Sequence, residues 1–126
     1  MSNGDILKVL LKVDAGPEAD DSMAAAIVHR LRQDLLRLDV EDVELVPRTE
    51  TPAGAKGADF DWTKLLVSVG SAGGILAKLM ATLQSWLSYD QRRSVTLEIA
   101  GDKLAIQGVS SAEQKRLVDA WLRRHR

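Results

Sequence analysis

The stretch SVGSAGGILAKLMATLQSWLS, Ser68 to Ser88, limits the possible folds most, because it is apolar enough for a membrane span yet holds Lys78 and three glycines. Trp62, Leu66, Val69, Gly73, Leu76, Met80, Leu83 and Leu87 step by four and three, with Leu65, Ala72, Leu79 and Trp86 in a row beside them. Opposite lie Lys64, Ser68, Ser71, Lys78, Thr82 and Ser85, a face that is polar apart from Ile75. The spacing predicts one long helix over 62–88. From Leu65 to Leu87 it would be about 34 Å long at 1.5 Å per residue, enough to cross a hydrocarbon core. Lys78 near the centre would cost about 2.5 to 3.5 kcal/mol on insertion, and the continuous polar face would meet lipid. A soluble or interfacial helix is therefore the favoured reading over a span.

Each glycine of GSAGG costs about 0.8 to 1 kcal/mol relative to alanine inside a helix, so something should offset the loss. Gly70, Gly73 and Gly74 would form a groove without side chains, into which another backbone can press. Lys78 lies one turn further on. The groove would be filled within the same chain, or by a partner or second copy, unless the helix breaks here into two. A phosphate-binding loop is excluded, because GSAGGILAK lacks the Lys-Ser/Thr ending and the glycine spacing that this chemistry needs.

The rest of the chain alternates strands and helices. Leu7, Val9, Leu11 and Val13 alternate with Ile6, Lys8, Leu10 and Lys12, which predicts a strand with one side buried. After Gly16-Pro17, acids cluster early, Met23, Ile27, Leu31 and Leu35 recur at helical spacing, and arginines follow, which suits the helix dipole. A short strand over Val43 to Val46 closes at Pro47. The segment 48–61, rich in Thr, Gly, Ala and Pro, is expected to be a mobile loop, with Arg48 and Lys56 open to a protease. Asp59 and Asp61 read as caps of the helix that follows. Val95, Leu97 and Ile99 belong to a hairpin turning at Gly101-Asp102 into Leu104 and Ile106. Ser110-x-x-Glu113 or Ser111-x-x-Gln114 opens a last helix that buries Leu117, Val118 and Trp121, and its basic end complements the helix carbonyls. The expected fold is α+β in a single domain, 1–126: a mixed sheet of about four strands with three helices mainly on one face. A right-handed crossover would set the first two strands parallel.

Composition narrows the function. The 126 residues suffice for one core, and 17 Lys+Arg against 18 Asp+Glu give no general attraction to nucleic acid or an anionic bilayer. The charge is nonetheless uneven: residues 1–63 hold 13 acids and 7 bases, residues 64–126 hold 5 acids and 10 bases. Without cysteine there is no disulfide, thiol nucleophile or thiolate metal site, which suits the cytoplasm. The N-terminal residues lack the pattern of a secretory signal. His29 and His125 stand in no ligand or triad spacing, and no stacking platform accompanies the basic tail. Neither an enzyme, a cofactor, a metal nor a specific nucleic acid is expected.

In the order of its elements, and in GSAGGILAKLMATLQSWLS leading into RRSVTLEIAGDKLAIQGVS, the chain resembles the bacterial effector-associated constant component family, most strongly from Trp62 to Gly108. The resemblance implies a non-catalytic adaptor or regulatory component of a bacterial conflict or immunity system. Its partner would be an effector such as a caspase-like protease, and a homo-oligomer is compatible with the dipolar charge. The alternative is a membrane-active component whose helix 62–88 inserts or self-associates at a bilayer on activation. The location implied is cytoplasmic, or peripheral to a membrane.

Overall fold

The computed structural model describes residues 6–16, 20–47, 60–70, 74–90, 92–108 and 111–125. They form β1 (Ile6–Asp14), α1 (Asp21–Leu36), β2 (Asp42–Pro47), β3 (Phe60–Gly70), α2 (Ile75–Ser88), β4 (Ser94–Ile99), β5 (Asp102–Gln107) and α3 (Ala112–His125). The α+β class, the single sheet and the three helices stand as expected. The sheet gains a fifth strand, in the order β2-β3-β1-β4-β5, and every pairing in it is antiparallel, which corrects the expected mixed sheet.

The added strand corrects the long helix. Residues 60–70 are extended, and the helix runs over 75–88. Leu65, Val67 and Val69 are buried on one side of β3, while Lys64, Leu66 and Gly70 alternate with them at intermediate exposure. Leucines on both sides of a strand supply the three-and-four spacing as well as the alternation, so the period alone does not separate the two. Two β-branched valines in FDWTKLLVSVG favour the pleated form. Asp61 therefore stands within a strand and not ahead of a helix, and Asp59 lies outside the described residues. No helix among the described residues is long and apolar enough to cross a membrane. At 14 residues α2 is about 21 Å long. Its Ile75, Leu76, Leu79, Met80, Leu83, Trp86 and Leu87 are all buried in the protein. The single helix expected over 62–88 is thereby replaced by β3 and α2.

β1 and β2 run in the same direction, as a strand-helix-strand crossover requires, but β3 lies between them and is antiparallel to both. β3 and β4 likewise run together across α2, with β1 between them. Two such interlocked split units make the ferredoxin-like arrangement. β5 and α3 extend it at one edge. α1 packs on β2 and β3, α2 on β3, and α3 on β5. Val9, Leu11, Val13, Val95, Leu97, Ile99, Leu104 and Ile106 all point to that helical side. An antiparallel sheet tolerates such one-sided cover, because its other face can remain in water.

Local signals place the ends. Asp20 caps α1 by accepting a hydrogen bond from the Met23 amide at 2.8 Å. Ser111 Oγ accepts from the Gln114 amide at 3.1 Å, so the second of the two serine motifs opens α3. The hairpin turns at Ala100-Gly101, one residue earlier than expected, with both at positive φ (50° and 88°), the signature of a type I′ turn. Met23 (52% exposed) and Leu117 (51% exposed) leave the predicted core, whereas Val118 and Trp121 are buried as expected and Val28 joins them.

Gly74 sits just before α2 in the left-handed region (φ 73°, ψ 19°), and a Cβ there would meet nothing within 4 Å. Its requirement is conformational, not steric. Gly74→Ala should therefore cost about 1 to 2 kcal/mol in chemical denaturation, whereas Gly70→Ala, which also meets open space, should be neutral or gain up to about 1 kcal/mol. Equal effects at both positions would contradict this assignment.

Candidate interaction surface

The glycines do not form a helical groove. Gly70 ends β3 opposite Ile6, Gly74 precedes α2, and a Cβ added at either would meet no atom within 4 Å. Gly73 lies outside the described residues, as do Arg48 and Lys56. Lys78 is exposed on the outer face of α2, with Gln84 and Ser85 further along it. Of the expected polar face, Lys78, Thr82 and Ser85 share this helix, while Lys64 and Ser68 belong to β3, where Ser68 is buried.

The hairpin and α3 are joined by a knot of polar contacts. Asp102 accepts from Arg124 through Nε at 2.8 Å and Nη2 at 3.2 Å, and its Oδ2 lies 2.6 Å from His125 Nε2. The Trp121 indole donates to the Asp102 carbonyl at 3.2 Å, and its ring lies 4.8 Å from the His125 ring. At the other end of α3, the Gln114 side chain accepts from the Gln107 amide (3.0 Å) and donates to the Gln107 carbonyl (3.2 Å). It takes the place of a neighbouring strand at one point of the β5 edge. The two histidines thus have structural surroundings: His125 in this knot, His29 exposed beside Gln33 at 3.2 Å.

Hydrogen bonds from Arg124, and then from His125, hold the Asp102 carboxyl below the usual carboxylate range. A lowered folded-state value means a contribution to stability that is complete above the unfolded aspartate pKa of about 3.9 and is lost as pH falls through the folded value. The parent should therefore lose stability below about pH 4 more steeply than Asp102→Asn. Urea titrations between about pH 2 and about pH 7 test this, and parallel profiles would refute it.

Arg93 closes α2 from the loop that follows, donating to the Trp86 carbonyl at 3.1 Å with its guanidinium 4.7 Å from the Trp86 ring centre. Asp90 and Arg92 pair at 3.2 Å in the same loop. Clefts border the sheet and helices among the described residues, two of them larger than a third between α1 and α2. One, of about 530 Å³, lies at the sheet end near Lys12, Asp14, Ser94 and Thr96; the other, of about 460 Å³, separates α2 from α3. No group of three or more His, Asp or Glu suited to a metal occurs among the described residues.

The broadest surface is the helix-free side of the sheet. Register aligns Glu44, Leu66, Leu10 and Glu98 in one row across β2, β3, β1 and β4. Lys8 and Lys12 flank Leu10 along β1, and Ile6 beyond them is 47% exposed. Sequence reasoning identifies the outward lysines of β1 but misses the row, since a helix at 62–70 offers no register.

Compared with known proteins, the chain is 34% identical over 114 residues to a CinA-like protein of Deinococcus deserti, covering 86% of this chain. It spans 27% of the length of that relative. No family model and no solved structure matches.

Proposed function

We propose that this chain is a non-catalytic adaptor that recruits or restrains an effector of a bacterial conflict or immunity system, a caspase-like protease being the first candidate. One observation supports this most: all three helices lie on one side of the sheet, leaving a broad side on which charged groups surround two leucines. The polar knots at Asp102 and Arg93 have packing partners and serve the fold, which leaves surface contact as the role of the rest. The resemblance of the segment from Trp62 to Gly108 supplies the kind of partner. Similarity to about a quarter of a longer protein fits a module that is also used within larger chains. The setting we propose is the cytoplasm.

Co-expression with a caspase-like effector encoded beside the gene should give a complex that co-elutes on a sizing column and alters protease activity. Separate elution with unchanged activity would reject the adaptor role. Within such a complex, activated protease should cut the chain between residues 48 and 61, where Arg48 and Lys56 stand in a Thr-, Gly-, Ala- and Pro-rich segment. Intact-mass spectrometry would show the two fragments; cleavage elsewhere or none would remove this part of the proposal.

A further inference from the structure

We infer that the helix-free side of the sheet is a self-association surface, on which a second copy of this chain packs with its strands crossing at about 90°. The argument rests on how charge is distributed over this face. Leu66 and Leu10 are direct cross-strand partners at the centre of the patch. Glu44, opposite Leu66, and Glu98, opposite Leu10 and facing Lys103 of β5 on its other side, lie to either side across the strands. Lys8 and Lys12 lie to either side along β1. With strands about 4.8 Å apart, each glutamate is about 7 Å from the midline between β3 and β1. Two residues of rise place each lysine about 7 Å from the leucine row in the perpendicular direction.

These equal distances make the face complementary to itself. A two-fold axis lying between two copies, diagonal to the strands, exchanges distance along the strands with distance across them. Each glutamate of one copy then falls over a lysine position of the other, and the leucine pairs meet at the centre. On one diagonal Asp42, which lies in the row of Lys8 and Ser68, would fall over its own copy, so the pattern holds for the other, which lays Asp42 over Thr96. None of Glu44, Glu98, Lys8 and Lys12 has an ion-pair partner within 4 Å among the described residues. The strands offer about 20 Å by about 24 Å, hence about 1,000 Å² for two copies, the lower bound of specific interfaces. The dimer is accordingly weak and reversible.

Sedimentation velocity on the full chain between about 10 and about 500 μM tests this: the mass should rise from 13.8 kDa towards twice that value, and salt at about 0.5 M should suppress the rise. Glu44→Lys with Glu98→Lys should remain monomeric, as should Lys8→Glu with Lys12→Glu. An equimolar mixture of the two double variants should recover a dimer, which also shows that both are folded. A parent that stays monomeric throughout, or double variants that each dimerise like the parent, would overturn the inference. If the parent stays monomeric and the double variants lose only their co-elution with an effector, this face serves a different partner. Self-association then fails while the adaptor role stands.

Discussion

Trp121→Ala should lower stability by about 3 to 5 kcal/mol, a large share of the 5 to 15 kcal/mol typical of a whole domain. Trp121 is fully buried, and its indole donates to the Asp102 carbonyl at 3.2 Å. Truncation removes the largest side chain between α3 and the β4–β5 hairpin and orphans that contact. The loss extends to the knot, because the Trp121 ring packs 4.8 Å from His125, which in turn reaches Asp102. The melting temperature should fall by about 10 to 20 °C. Leu117→Ala in the same helix is the control: at 51% exposure it should change stability by no more than about 1 kcal/mol. Similar losses at both positions would mean that α3 does not dock through Trp121.

How far the sequence reveals this molecule depends on which contacts each segment makes. β1 alternates cleanly because Lys8 and Lys12 face outward while Val9, Leu11 and Val13 are buried, so a local pattern and a tertiary position coincide. The β4–β5 hairpin is legible for the same reason, and its turn is displaced by one residue only because Ala100 accepts a positive φ. β3 is obscured because Leu66, on the helix-free side, is apolar. Its neighbours across the sheet are Leu10 and Glu44, and that relation exists only once register is set. Gly70 ends β3 and Gly74 precedes α2, so these two mark a change from strand to helix, not a groove. The cost of glycine in a helix signals something unusual; whether a close contact or a break answers it depends on the backbone angle at Gly74. The Asp102 knot joins residues more than twenty apart in sequence, and a basic helix end gives no hint of which carboxylate it will meet.

Threonine at neighbouring positions separates the strand from the helix in solution. Leu65 is wholly buried beneath the helices, whereas Leu66 lies on the other side of β3. Leu65→Thr should cost about 2 to 4 kcal/mol, because it leaves a cavity and brings a hydroxyl into an apolar core. Leu66→Thr should cost about 1 kcal/mol or less, since threonine suits a strand and its hydroxyl reaches water. In a helix over 62–88 both leucines would belong to one wide apolar arc, and the two losses would be alike. Urea unfolding at low protein concentration isolates this difference from any association through the same face. A ratio near one between the two losses would restore the helix; a loss confined to Leu65 places the segment in the sheet, with the helix-free side on the other.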